Sequence, residues 1–273
     1  MEMGVMTGKA GLVIGVANQS SIAWAITERL AAEGAHVGLT FAAPNLERRV
    51  RGLAARLGIQ MVMPCNVNED AEIDAACAEL ARVHGGIDFV VHAVAFAPGD
   101  ELAAGVIGTS RAGFLDTMEV SAYSLVALAR GARPFFRPGA SMLTLTYIGS
   151  DRVCSGYNVM GVAKAALEAI CRYLATDLGP EGVRVNAISA GPIRTSAAIG
   201  LPNFQEMLAK RASQSPTQRN VTQEDVANTA VFLLGDHSRG TTGSVVWVDG
   251  GYNIMGTWAD AAPAPAAPQP EAA

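Results

Sequence analysis

Short β-branched runs alternate with longer alanine-rich segments of helical period along almost the whole chain, and this alternation restricts the fold more than any motif. Candidate strands are Gly11 to Gly15, His36 to Phe41, Gln60 to Met63, Phe89 to His92, Ser141 to Tyr147, Arg184 to Ile188 and Ser244 to Val248. Between them fall helical patterns near Ile22 to Glu33, Leu46 to Leu57, Ala71 to His84, Ala112 to Arg133, Asn158 to Leu178 and Thr222 to Leu234. The runs are apolar on both faces, which is how strands read when a parallel sheet is covered by helices on each side. Right-handed crossovers then give an α/β fold: one Rossmann-like, doubly wound parallel sheet of about seven strands, with its ligand crevice at the strand carboxyl ends. A hydrophobic content of 50% with 16% charged residues fits such a core. No internal repeat or linker precedes Trp258, so residues 1–258 are expected to form one domain. Residues 259–273 are rich in alanine and proline; proline at this density forbids helix and sheet alike, and a disordered tail is expected.

A net charge of -5 and the lack of any long Lys/Arg run argue against a nucleic-acid partner. Cys65, Cys77, Cys154 and Cys171 lie far apart, as do the four histidines, so neither set has metal-ligand spacing. Reduced thiols and no metal are expected. The segment Met1 to Thr7 lacks the pattern of a signal peptide, and no apolar run approaches the length of a membrane span. A cytoplasmic protein without a membrane partner is expected.

Strand one runs into Gly15-Val-Ala-Asn-Gln-Ser-Ser21-Ile-Ala23 and then a helix. A turn glycine before a helix N-terminus can hold a pyrophosphate through N–H groups and the helix dipole. Only Gly15 of the usual glycine triplet is present, and Ser20 or Ser21 taken alone reads as a helix cap. At the head of a βαβ alternation, dinucleotide binding is the better reading. Strand two ends Phe41-Ala42-Ala43-Pro44, with neither the acid that grips a ribose 2′-hydroxyl nor a base for a 2′-phosphate. The missing base favours NADH over NADPH, with Arg48 or Arg49 as the residues that would reverse this. After strand three, Asn66 is open to two readings, an adenine contact or a turn residue capping the next helix.

Tyr147, Tyr157 and Lys164 lie between a strand and a helical stretch. Two phenols and a lysine suit a reaction that places negative charge on a carbonyl oxygen. Seven residues is close to two helical turns, so Tyr157 and Lys164 share a face if both lie on the helix. Taken alone, the same three residues also read as a buried aromatic, a loop tyrosine and a surface lysine.

Over residues 7 to 256 the chain resembles the short-chain dehydrogenase/reductase superfamily, and within it the NADH-dependent enoyl-[acyl-carrier-protein] reductases. The resemblance rests on Gly15 to Ala23, Phe96-Ala-Pro-Gly-Asp100, Leu143-Thr-Leu-Thr-Tyr147, Tyr157-Asn-Val-Met-Gly-Val-Ala-Lys164, Gly179 to Thr195 and Val248-Asp-Gly-Gly251. Ketone-reducing relatives carry a tyrosine four before the lysine and a serine thirteen before that tyrosine. Those positions are here Met160 and Tyr147, so the ketone-reducing pair is missing, whereas the enoyl reductases carry the Tyr-x6-Lys pair plus an upstream tyrosine.

The resemblance implies that Tyr157 donates to the thioester oxygen of a trans-2-enoyl substrate on acyl-carrier protein. Lys164 is implied to bond the nicotinamide ribose, and Tyr147 to act as a second donor or positioning group. It implies a cofactor site of Gly15, Ser21, Ile22, Asn66, Val67, Ala93, Lys164, Ile193 and Thr195. For the substrate it implies Ala95, Tyr147, Met160 and a loop over Ile193 to Lys210, in which Ala197, Leu201, Phe204 and Met207 wall the acyl chain. A homotetramer is also implied. The sequence departs from the family pattern at Asn66, where aspartate is common, and at His92-Ala-Val-Ala95, where Ser-Ile-Gly usually follows the histidine. Competing readings are a paralogue acting on another enoyl or keto substrate and a non-catalytic cofactor-binding sensor. Retention of both tyrosines and the lysine counts against the sensor.

Overall fold

The computed structural model describes residues 4–195 and 204–256. Seven parallel strands form one sheet in the order β3-β2-β1-β4-β5-β6-β7. They are β1 Ala10–Ile14, β2 His36–Phe41, β3 Val62–Pro64, β4 Ile87–His92, β5 Phe136–Thr146, β6 Arg184–Ala190 and β7 Val245–Val248. The expected Rossmann-like, doubly wound sheet is therefore present, with its change of winding direction between β1 and β4.

Both faces are buried, and the strand alternation divides the apolar side chains between two cores. Val13 of β1 and Val91 of β4 join one core, under α1 (Ile22–Ala32), α2 (Pro44–Arg56) and α10 (Gln223–Leu234). Leu12 and Ile14 of β1 and Val90 of β4 join the other, under α3 (Asp70–His84), α7 (Ser124–Ala132) and α8 (Asn158–Leu178). Cys65, Cys77 and Cys171 are in this second core, where burial pushes each thiol up to about 12. Cys154 is half-buried, and all four cysteines are free.

Three expectations need correction. β5 begins at Phe136, five residues before Ser141, because the chain pairs with β4 across a register irregularity between Ile87 and Phe89. The single helix expected over Ala112 to Arg133 is three pieces: α6 (Arg111–Met118), a π turn (Glu119–Tyr123) and α7. Hydroxyl side chains settle that interruption, since Ser124 donates to the Val120 carbonyl at 2.7 Å and Ser121 bonds the Phe96 backbone. Finally, two short helices, α4 (Gly99–Ala103) and α5 (Gly105–Gly108), stand where no helix was expected. A further helix, α9 (Phe204–Gln214), runs through the end of the expected substrate loop.

Arg184, at the start of β6, is a buried charge that the sequence does not single out. Its Nη1 donates to the Leu233 carbonyl at 2.7 Å and to Ser238 Oγ at 2.8 Å, and Nη2 donates to the Gly235 carbonyl at 3.0 Å. The guanidinium thus satisfies carbonyls that the end of α10 leaves without intrahelical donors. Arg184→Met is expected to lower the unfolding free energy by about 3 kcal/mol, read from the midpoint of a urea titration. An unchanged midpoint would show these bonds to be worth nothing net.

Among the described residues, no helix is long and apolar enough to cross a membrane. No group of three or more His, Cys, Asp or Glu among them could hold a metal ion. The expected tail, 259–273, lies outside the described residues.

Candidate active site

The crevice expected from the winding change lies where β1 and β4 end side by side. Gly15 follows β1 with φ +105°, a conformation that suits glycine, and a Cβ there would lie 2.2 Å from the Ala93 carbonyl oxygen. The two loops therefore touch backbone to backbone. Ser21 caps α1: its Oγ accepts from Trp24 N at 3.2 Å and donates to the Asn18 carbonyl at 2.8 Å. Ile22 opens α1 and packs, with Ala93, against the first core. The cap reading of Ser21 is thus correct, and it also leaves a helix N-terminus facing the crevice with its positive dipole end.

After β3, Asn66 Oδ1 accepts from Asn68 N at 3.2 Å, and Asn66 N donates to Glu72 Oε2 at 2.7 Å. Asn66 therefore does serve as a turn residue, beside the buried Val67.

The second half of the site lies at the carboxyl ends of β5 and β6. Tyr147 follows β5 directly. The chain then turns through Ile148–Ser150 and reaches Tyr157, the N-cap residue of α8. Asn158 opens the helix at φ +41°, a left-handed conformation that asparagine tolerates, and its Nδ2 donates to the Leu102 carbonyl at 2.5 Å. The rings of Tyr147 and Tyr157 meet edge to face, with centroids 5.0 Å apart. A Cβ on Gly149 would lie 2.4 Å from Tyr157 Cδ1, and one on Gly161 would lie 2.8 Å from the Gly149 carbonyl oxygen. Two glycines thus let the turn backbone lie directly on α8 and against the Tyr157 ring.

Lys164 is buried and its Nζ donates to the Leu145 carbonyl at 2.8 Å. Burial lowers its pKa to about 8, partly offset by the charge of Glu168. Burial pushes the Tyr157 phenol well above its ordinary value, helped by Tyr147 and Cys154. Tyr147 is raised to about 12, again chiefly by burial, with Arg211 acting in the opposite direction. Both phenols therefore keep their protons at neutral pH. His92, at the end of β4, lies between Thr144 Oγ1 at 2.9 Å and Ser124 Oγ at 2.8 Å, and burial holds its pKa down to about 3. Because the Ser124 hydroxyl donates to Val120, His92 Nε2 must donate to Ser124, which assigns the neutral tautomer.

A cleft lined by Tyr147, Ile148, Ser189, Gly191, Arg211 and Tyr252 adjoins the phenols. The Arg211 guanidinium stacks 3.8 Å over the Tyr252 ring, a contact without any signal in the sequence. The Ser189 hydroxyl is enclosed there without a hydrogen-bond partner in the protein. Ile193 is buried just after β6, and Thr195 follows as the last residue described before 204. Met160 is buried in the first turn of α8, whereas Ala95 is exposed. Ala197 and Leu201 lie outside the described residues. Phe204 and Met207 belong to α9, but their side chains lie outside what is described.

These features fit a dinucleotide: a backbone cradle that a Cβ at Gly15 would fill, a helix N-terminus, a buried cation at Lys164 and an unpartnered hydroxyl at Ser189. Residues that would hold it lie along the strand ends from Gly15 through Lys164 to Ile193.

Known proteins agree with this architecture. Residues 15–253 match the family described as enoyl-(acyl carrier protein) reductase. The enoyl-[acyl-carrier-protein] reductase [NADH] of Salmonella typhimurium is 49% identical over 92% of this chain and 97% of its own length. An enzyme of the same description from Rhizobium meliloti is 50% identical over 95% of this chain and 96% of its own. The crystal structure of the Anaplasma phagocytophilum reductase in complex with NAD superposes with a TM-score of 0.91 at 45% identity, covering 95% of this chain and 99% of that one. With a shared fold and similarity over almost its whole length, the chain belongs to the enoyl-(acyl carrier protein) reductase family.

Proposed function

We propose that this protein reduces trans-2-enoyl thioesters carried on acyl-carrier protein to saturated acyl thioesters, with NADH, in fatty-acid biosynthesis. The observation that carries the reading is the edge-to-face pair Tyr147 and Tyr157, 5.0 Å apart, in a chain where Lys164 is buried nearby. When bound, the dinucleotide supplies the hydride that adds to the β-carbon. Negative charge then collects on the thioester oxygen as an enolate, which collapses to the saturated thioester as the α-carbon takes a proton from solvent. Tyr157 donates a hydrogen bond to that oxygen, and its raised pKa keeps the proton on the phenol, so the residue stabilises charge without surrendering its own proton. Tyr147 lies beside the acyl thioester as a second donor or positioning group.

Lys164 holds the nicotinamide ribose hydroxyls. Gly15, Ser21 and Ile22 receive the pyrophosphate, and Asn66 and Val67 lie at the adenine edge. Since Asn66 Oδ1 is engaged by Asn68 N, its Nδ2 is the atom offered to the base. Ala93, Ile193 and Thr195 line the nicotinamide end. Ala95 and Met160 border the substrate, and Ala197, Leu201, Phe204 and Met207 form the apolar wall for the acyl chain. The protein works in the cytoplasm as a homotetramer.

The test offers a crotonyl thioester and a 3-oxoacyl thioester in parallel and follows NADH loss. Turnover of the crotonyl substrate at least 10-fold faster is expected. Preference for the 3-oxoacyl compound would reassign the enzyme to ketone reduction.

A further inference from the structure

We propose that Glu168 is a positioning residue for this reaction, one carboxylate oxygen tying the turn that carries Tyr147 to the helix that carries Tyr157 and Lys164. The proposal rests on the enoyl-reductase reading above. Thr146 Oγ1 donates to Glu168 Oε1 at 2.6 Å, and Ser150 Oγ donates to the same oxygen. These two hydroxyls bracket the segment Tyr147–Gly149, so a single acceptor grips the turn on both sides of the tyrosine. Glu168 lies four residues beyond Lys164, one helical turn along the same face of α8.

The tie matters because of what the turn rests on. At Gly161 the helix meets the Gly149 carbonyl oxygen backbone to backbone, and at Gly149 the turn rests on the Tyr157 ring, so the side chain interleaved between turn and helix is itself a group to be positioned. Hydroxyl–carboxylate bonds are directional and charge-assisted, and they supply the register that packing at two glycines cannot. The separation of the Tyr147 and Tyr157 rings is set by that register.

Glu168 has a second, electrostatic reach. The titratable groups coupled to Lys164 are Glu168 on its own helix and His92 from β4. His92 is neutral, and β5 presents the Leu145 carbonyl, so Glu168 supplies the negative charge that keeps Lys164 protonated against burial. One side chain therefore acts on the phenol pair by position and on the lysine by charge, and substitutions separate the two.

The experiment uses the full chain, NADH and a crotonyl thioester, with Glu168→Gln, Glu168→Ala and the double variant Thr146→Val/Ser150→Ala. The double variant breaks the tie but keeps the charge. Its kcat is expected to fall about 10-fold with NADH Kd within about twofold of wild type. Glu168→Gln keeps an acceptor oxygen but loses the charge, so kcat at pH 7 is expected within about threefold of wild type. Its loss of NADH binding at alkaline pH should set in at lower pH than in wild type. Glu168→Ala should show both effects.

Wild-type kcat in the double variant would overturn the proposal, and a wild-type alkaline limb in Glu168→Gln would remove its electrostatic part. A loss of kcat that tracks loss of folded protein by near-UV circular dichroism would likewise overturn the proposal. If wild type binds NADH but leaves the crotonyl thioester unreduced, the enoyl-reductase reading is what fails. The charge effect of Glu168 on Lys164 is then still decided by the binding limb, with coincident limbs overturning it.

Discussion

Tyr157→Phe is expected to lower kcat on a crotonyl thioester about 100-fold while leaving NADH Kd within about twofold of wild type. The substitution removes one oxygen and keeps the ring, which the Gly149 backbone and the edge of Tyr147 hold in place. The lost term is therefore a hydrogen bond to an oxygen that becomes negative only as hydride arrives. A donor of this kind acts more on the transition state than on the bound substrate, so kcat falls and KM stays nearly constant. Because burial keeps the phenol protonated through the working range, the pH profile of the residual activity should parallel that of wild type. Steady-state assays of purified protein, with NADH affinity read by fluorescence quenching, provide the check. Undiminished kcat would remove Tyr157 from the chemistry.

Lys164→Ala is expected to weaken NADH binding about 100-fold, from the loss of charge-assisted bonds to the ribose hydroxyls worth about 1.5–3 kcal/mol each. The wild-type protein should show a related pH effect. In the free enzyme Lys164 has a pKa lowered to about 8, so its ammonium form dominates below that pH and declines above it. The proposed contact with the sugar is charge-assisted only in the ammonium form, and NADH affinity should accordingly fall as pH rises through about 8. Lys164→Ala should bind weakly at every pH, with this limb missing. The limb is measured as kcat/KM for NADH, which reports groups in the free enzyme. A pH-independent affinity in wild type between 7 and 10 would contradict the assignment.

The architecture was legible because an apolar strand followed by an amphipathic helix has few other ways to bury itself. Each expected strand is present, and the edges moved only where tertiary pairing decides them, as at Phe136. The π turn was not legible, since Glu119–Tyr123 carries ordinary helix formers. The bonds that settle it come from Phe96 and from the His92–Ser124 pair, both distant in sequence. In the site, the spacing of Tyr147, Tyr157 and Lys164 pointed to the residues that the fold gathers.

Glu168 was missed because a glutamate in an alanine-rich helix reads as a solvated face. Its position four beyond Lys164 was the available signal. Arg184 and Arg211 gave none. One is explained by a helix end far along the chain, and the other by a tyrosine that only the folded chain brings beneath it.

The bare approach of Gly149 to Gly161 and to the Tyr157 ring has a consequence for mutational tolerance. Core positions such as Leu143 or Val185 can exchange one aliphatic residue for another and repack. A methyl at Gly149 or Gly161 meets ring carbons or a carbonyl oxygen with nowhere to go, so a saturation library selected for activity should show those two columns empty. Sequence drift in this enzyme is then barred at two positions that themselves perform no chemistry.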